Sequence, residues 1–229
     1  FRRKKMSGAP GGEYFESYGD VQVHRLMLED APRTEAYKRA IESLKPESIR
    51  GKVVLDVGAG TGILSLFAAK CGARRVYAVE ASDIAGHTAE LVRENGFEDV
   101  ITVLQCRVEE CELEEKVDVI VSEWMGFYLL HESMLASVLF ARDKWLKPGG
   151  LVLPRFARLY CCPINMEAHC NERFLFWTDV YGFSMQTFIN AEAQSMLRAP
   201  VITVVPAEAL LSEPKLVTEL DCTRIAAAD

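Results

Sequence analysis

The run Val53-Val54-Leu55-Asp56-Val57-Gly58-Ala59-Gly60-Thr61-Gly62 constrains this chain more than any other stretch of it. Its first half is apolar and mostly β-branched, the pattern of a buried strand. Three glycines at alternate positions then end it. Glycine lets the backbone turn tightly after a strand and approach a ligand with no Cβ in the way. A plain strand-to-helix turn can use the same residues. The spacing is Gly-x-Gly-x-Gly, however, and a dinucleotide pyrophosphate is seated by Gly-x-Gly-x-x-Gly at a helix N-terminus.

Strands and helices alternate from this point on. The pattern predicts a strand over 53–57, a helix over 63–71 stopping at Gly72, and a strand over 75–80. A helix capped by Ser82 and running to Asn95-Gly96 follows, then strands over 100–105 and 117–122. A helix near 131–146, a turn at Lys147-Pro148-Gly149-Gly150 and a strand opening at 151–153 complete the series. Such alternation means βαβ units, so the fold class is α/β, with a doubly wound parallel sheet. Before it, 14–45 is helical and broken by Pro32, with Tyr37, Ile41 and Leu44 on one face. Residues 1–13 are basic and then Gly/Pro-rich, which predicts disorder. After Pro154 the alternation stops, and 155–229 reads as a β-rich element with strands over 158–162 and 201–205. A helical, aromatic excursion over about 166–197 separates them. The ligand-binding domain is therefore expected at 46–154.

Composition admits a large core: 49% of the 229 residues are hydrophobic and 26% charged. No apolar run approaches the roughly 18 residues of a membrane span, and the basic opening is not followed by the apolar stretch of a signal peptide. The seven cysteines include no zinc-spaced pairs, which predicts reduced thiols and no metal. The net charge of −7 argues against nucleic acid as a partner. It suits an enzyme that attracts basic protein segments, and it equally suits plain solubility.

Three carboxylates narrow the chemistry. Glu80 ends the second strand, where it can accept both hydroxyls of a ribose. Glu109 follows the third strand and can accept an adenine amino group, although its acidic neighbourhood, EECELEEK, also fits a solvated charge. With Gly58 and its partners these favour S-adenosylmethionine, a nucleoside cofactor without a phosphate. In SEWMGFYLLHESM, Glu123 lies just past the fourth strand and Glu132 nine residues later. Two carboxylates closing a loop suit a cation, and the planar guanidinium of arginine matches them best. A capping Glu132 and a solvated Glu123 are the plainer alternative.

SEWMG and HESM resemble the double-glutamate loop of the protein arginine methyltransferases, and the similarity extends over nearly all of the chain from Tyr14. The resemblance implies a Rossmann-like class I methyltransferase sheet, N-terminal helices that cover the cofactor, and part of a β-barrel carrying a helical dimerisation arm. It implies that His24 and Arg33 contact the cofactor, Arg33 through the methionine carboxylate. Met27 and Met134 match methionines placed around the substrate arginine in type I, asymmetrically dimethylating, members. The strings EYFESYG, AGHTAELVRENGF and LSEP are similar to family member two, whereas FYLLHESML and RDKWLKPGG lean toward member six. Arg25-Leu26 departs from the acidic pair usual after the helix histidine. The family's Thr-His-Trp loop is absent, so the sequence reads as truncated within the barrel, and weak or no turnover is expected.

The function expected from these residues is methyl transfer from S-adenosylmethionine to arginine in proteins such as histone tails, with Glu123 and Glu132 catalytic. A homodimer in the full-length form, no membrane partner, and a place in the nucleus and cytoplasm go with it. Three alternatives stand beside it. A small-molecule methyltransferase explains the glycines but not the paired glutamates. A cofactor-binding but inactive form could act as a regulatory partner. An NAD-dependent oxidoreductase is disfavoured by the glycine spacing.

Overall fold

The computed structural model describes residues 19–44, 46–131, 133–198 and 201–226. The segment read as disordered, 1–13, lies outside them, and so does Glu132. The chain forms two compact units: one holds the described residues up to Ala157 and those from Leu220 onward, and the other is Arg158–Glu219.

Two helices, α1 (Val21–Glu29) and α2 (Ala31–Glu42), open the first unit. Asp20 caps α1 by accepting from the Gln22 N–H, and Asp30 both ends α1 and caps α2 by accepting from the Arg33 N–H. Pro32 sits in the first turn of α2, where its missing donor costs nothing, so the break falls where the sequence placed it. A short helix, α3 (Pro46–Ile49), leads into the sheet.

The sheet comprises β1 (Val53–Val57), β2 (Arg75–Glu80), β3 (Ile101–Gln105), β4 (Val117–Val121) and β5 (Leu146–Leu153) in the order β3-β2-β1-β4-β5. Every pairing is parallel. Helices α4 (Ile63–Lys70), α5 (Ile84–Glu94) and α6 (Leu135–Trp145) make the crossovers. All five β1 residues are buried, as a strand covered on both faces requires. Val53, Leu55 and Val57 join one core with Trp124, Val138 and Trp145, while Val54 joins the other with Ile41, Leu64 and Ala68. Tyr37 and Leu44 pack against that second core, so the predicted apolar face of α2 is the buried one.

Four local expectations change. The cap position of α5 is Asp83, not Ser82. Helix α6 starts at Leu135 rather than near His131, because His131 is engaged in a bridge with Phe127. Lys147–Gly150 is not a turn ahead of β5 but an irregularity inside it: Val117 faces Leu146, and Val119 already faces Leu151. Residues 201–205 form no strand; Ile202 is 79% and Val204 92% exposed. Among the described residues no strand pairs with them, and a strand is defined by its ladder partner.

In the second region, β6 (Phe156–Cys161) pairs with β7 (Lys215–Asp221), with the Arg158 Nε donating to Glu219. The excursion between them contains α7 (Glu167–Phe176) and α8 (Ile189–Met196), neither of which has a buried residue. Arg173 Nε donates to Glu192 Oε1 at 2.6 Å, and Trp177 lies 5.1 Å from both Phe176 and Phe188. Among the described residues no helix is long and apolar enough to cross a membrane.

The β4–β5 irregularity depends on close packing at Gly150. A Cβ there would lie 2.9 Å from the Asp118 carbonyl oxygen and 2.6 Å from Leu146 Cδ1. Gly150→Ala is expected to destabilise the protein by roughly 1–3 kcal/mol, read as a lowered midpoint in thermal or urea unfolding.

Candidate active site

In an open parallel sheet, ligands bind beyond the carboxyl ends of the strands, where the strand order reverses. Here the reversal lies between β1 and β4. The residues leaving those two strands are the glycine turn and Glu123, which is why segments 65 residues apart share one crevice. Ser122 ties them together: its Oγ donates to the Val57 carbonyl at 2.7 Å.

The glycine turn runs back over β2, with the N–H groups of Gly58 and Ala59 donating to the Val79 carbonyl at 2.9 and 3.0 Å. Gly58 has φ +70°, and a Cβ on it would stand 2.4 Å from Met134 Cε. Glu80 is 7% exposed. Its Oε2 accepts from the Gly60 N–H and its Oε1 from the Ser82 N–H, each at 2.8 Å. Each oxygen keeps a further lone pair for a ligand hydroxyl. Thr88 Oγ1 donates to the Gly60 carbonyl and so braces the turn from α5. His24, 3% exposed, lies directly over Gly60.

Glu109 borders the same cleft, and Ser137 of α6 donates to its Oε1 at 2.6 Å. The second oxygen, Oε2, lies 3.7 Å from Arg107 Nε. Arg33 reaches the cleft from α2, where its Nη1 donates to Glu123 Oε2 at 2.9 Å and its Nη2 to the Met27 carbonyl. Tyr37 Oη donates to the Ser122 carbonyl at 3.0 Å. Burial pushes the Glu123 carboxyl above the usual carboxylate range against the pull of Arg33. It also pushes the Tyr37 phenol upward, with the Glu123 charge adding to it.

The loop after Glu123 leaves at Trp124 and returns at Met134, whose N–H donates to the Trp124 carbonyl at 2.9 Å. Trp124 is 1% exposed, and its indole N–H has no hydrogen-bond partner among the described residues. Inside the loop Tyr128 and Leu129 have φ of 51° and 70°, left-handed values that a non-glycine residue adopts only under constraint.

His24, Arg33, Gly58, Glu80, Glu109 and Glu123 thus border one cleft together with Met27 and Met134. The donor set fits S-adenosylmethionine: acceptors at Glu80 and Glu109, a Cβ-free turn, a guanidinium, and apolar walls at Val57, Val79 and Val108. Sequence reasoning missed Tyr37, Thr88, Ser122 and Ser137. Only Ser122 carried a local signal, as a polar residue ending an apolar strand run beside Glu123. Among the described residues no group of three or more His, Cys, Asp or Glu could hold a metal ion.

Comparison with known proteins gives the same class. Residues 34–150 match the family described as ribosomal protein L11 methyltransferase (PrmA), and residues 155–229 match the arginine methyltransferase oligomerization subdomain. Probable protein arginine N-methyltransferase 6.2 of Oryza sativa subsp. indica is 50% identical over 216 residues, which is 94% of this chain and 54% of that protein. Protein arginine N-methyltransferase 6 of Danio rerio is 50% identical, covering 93% of this chain and 61% of the relative. The solved Trypanosoma brucei PRMT1 enzyme-prozyme heterotetrameric complex with AdoHcy superposes with a TM-score of 0.79 at 41% identity, covering 93% of this chain and 66% of that one. A crystal structure of PRMT6-SAH gives 0.78 at 35% identity, covering 90% and 67%. The fold and the crevice define a class I methyltransferase domain. The chain belongs to the protein arginine methyltransferase family, and it spans about half the length of the curated relatives it matches.

Asp56 lies beneath this site and carries a consequence for stability. Ser65 Oγ donates to its Oδ2 at 2.7 Å, and its Oδ1 has no partner among the described residues. Burial, opposed by Ser65, pushes the carboxyl up to about 7. The folded state therefore holds this proton more tightly than the unfolded chain. The stability this contributes is present below pH ~4 and is lost as pH rises to ~7, by at most ~1.4 kcal/mol per pH unit. Asp56→Asn should remove that component, so the difference between variant and parent in urea unfolding should change with pH across this window.

Proposed function

We propose that this chain binds S-adenosylmethionine and transfers its methyl group to guanidinium nitrogens of arginine side chains in proteins. The observation that carries the proposal is Glu123, whose carboxylate stands in the crevice beside the glycine turn and already holds a guanidinium, that of Arg33, at 2.9 Å. A charge of −7 favours the approach of basic segments, so histone tails are the substrate class proposed. Asymmetric dimethylarginine is the product proposed, on the strength of Met27 and Met134. The match to the oligomerization subdomain supports a homodimer of the full-length protein. The nucleus and cytoplasm are the places of action proposed.

The cofactor roles follow from the donor set. Glu80 accepts the ribose hydroxyls and Glu109 the adenine amino group. The Gly58 backbone admits close approach, and His24 closes the cleft over Gly60. Arg33 holds the methionine carboxylate. S-adenosylmethionine supplies a sulfonium methyl, which leaves its bonding pair on sulfur. Glu123 and Glu132 hold the substrate guanidinium, whose pKa above about 12 makes outright deprotonation unfavourable near neutral pH. Carboxylates on one side localise its positive charge there and leave the far nitrogen richer in lone-pair density. Once alkylated, that nitrogen is strongly acidic and gives its proton to a neighbouring carboxylate or to water, so fixed charges and fixed orientation lower the barrier without any base strong enough to deprotonate free guanidinium.

Glu123→Gln and Glu132→Gln should each lower methyl transfer to an arginine peptide at least ~100-fold, with a far smaller change in cofactor affinity. Radiolabel transfer with product analysis measures this, and near-parental rates in either variant would sink the double-glutamate assignment. Glu80→Ala should act on the other quantity, weakening S-adenosylhomocysteine binding in calorimetry by roughly 10-fold or more as one charged hydrogen-bonding partner is lost.

A further inference from the structure

Two cysteines, Cys106 and Cys111, stand on either side of the loop that carries Glu109, and neither has a part in the cofactor or substrate roles given above. Cys106 follows the last residue of β3, and its N–H donates to the Glu80 carbonyl at 3.1 Å. The chain then turns back on itself: the N–H groups of Glu110 and Cys111 both donate to the Arg107 carbonyl, at 2.9 and 3.1 Å. The turn brings its flanking residues together, and the Cys106 and Cys111 thiols are hydrogen-bonding partners of one another. Their surroundings differ. Cys111 is 4% exposed in the core that also holds Val108 and Leu113, and its Sγ donates to the Val108 carbonyl at 3.3 Å. Cys106 packs at the edge of that core and, like Glu109, lines the cleft. Both are free thiols.

We propose that Cys106 and Cys111 form a reversible disulfide in the cofactor-free protein, by exchange with a low-molecular-weight disulfide such as oxidised glutathione, and that bound cofactor protects the pair. The protection rests on the reading of this cleft as the S-adenosylmethionine site with Glu109 at the adenine; the disulfide itself does not.

The exchange has two steps. Cys106 loses its proton and its Sγ attacks one sulfur of the small disulfide, whose S–S bond breaks; one thiolate leaves and takes up a proton, and a mixed disulfide remains. Cys111 then loses its proton, its Sγ attacks Cys106 Sγ, and the second small thiol is expelled. Two protein thiols are oxidised and one disulfide is reduced to two thiols. Burial pushes both thiols above the ordinary cysteine value, Cys111 to about 11, so little thiolate exists near neutral pH. The first attack is therefore slow and falls to Cys106, the thiol on the cleft. The second joins sulfurs that already face one another.

An S–S bond is about 2.05 Å long, far shorter than a contact between two thiols, so oxidation draws the side chains together. Cys111 is set in close packing, and the movement falls on Cys106, the Glu80 carbonyl it bonds and the segment leading to Glu109. Oxidation thus alters the adenosine end of the cleft and weakens cofactor binding. By linkage, cofactor disfavours the oxidised form by the same factor.

The test incubates the whole reduced chain with oxidised glutathione, with and without S-adenosylhomocysteine, alkylates the remaining thiols and maps tryptic peptides by mass spectrometry. Trypsin cuts after Arg107, between the two cysteines. Without cofactor, linked peptides carrying Cys106 and Cys111 should accumulate, and dithiothreitol should separate them. At S-adenosylhomocysteine about 100 times its Kd only about 1% of the protein is free, so the rate should fall roughly 100-fold. In calorimetry the oxidised chain should show a Kd for S-adenosylhomocysteine at least ~5-fold above that of the reduced chain, restored by dithiothreitol. Cys106→Ser should bind S-adenosylhomocysteine equally before and after the same oxidation, which separates this pair from the remaining cysteines. No Cys106–Cys111 link in the parent, while exposed Cys161 has taken up glutathione, would overturn the proposal. A link that forms equally fast with and without S-adenosylhomocysteine would overturn the protection, as would equal affinity in the oxidised and reduced parent or an equal loss of affinity in oxidised Cys106→Ser. If the reduced chain does not bind S-adenosylhomocysteine at all, the cofactor reading falls and the protection with it, and the mapping without cofactor still decides the disulfide.

Discussion

Two backbone N–H groups, those of Gly60 and Ser82, converge on the Glu80 carboxylate, and the cleft is arranged around that convergence. The charge at the end of β2 is stabilised by the chain itself before any ligand arrives. The Gly60 bond also pins the glycine turn to the neighbouring strand, beneath His24 and ahead of α4. Holding a turn with positive φ against a part-buried anion is a local expense that the two covered faces of the sheet support. A carboxylate already oriented in this way needs little rearrangement to accept a hydroxyl.

Much of this was legible in the sequence because the strands are buried on both faces. The sequence places Val53–Val57 and Arg75–Glu80 at the bounds the structure shows, since a short, largely apolar and β-branched run has few other uses. Where the reading failed, the deciding partner was remote. Nothing within Lys147–Gly150 shows that Leu146 will pair with Val117 before the chain bulges. Nothing within 201–205 shows that its apolar residues find no ladder partner among the described residues. The same holds at the site. Glu80, Glu109 and Glu123 stand at strand ends, a position sequence can identify. Tyr37 and Ser137 act from helices, and their polar atoms matter only through what lies across the cleft. The Arg33–Glu123 pair is not visible in the sequence either, where Arg33 is expected on the cofactor and Glu123 on the substrate.

The Arg158–Glu219 unit follows a different physical logic. Its helices α7 and α8 meet through an ion pair and an aromatic cluster, yet no residue of either is buried. Tyr181, at 97% exposure with a φ of 54°, and Phe183 show apolar rings to the surroundings. Exposed aromatic surface on this scale is what an association face looks like before association, in keeping with the oligomerization subdomain matched over these residues.

The burial of Trp124 has an optical consequence. The chain has three tryptophans: Trp124 at the mouth of the Glu123 loop, Trp145 at the end of α6, and Trp177 in the aromatic cluster. An indole packed in apolar surroundings with its N–H unengaged emits toward the blue, and its emission moves when a neighbouring charge moves. Trp124 is bonded to Glu123 through the backbone. A protein with phenylalanine at the other two positions would carry its own lamp beside the proposed catalytic carboxylate, and light alone would report what happens to that charge.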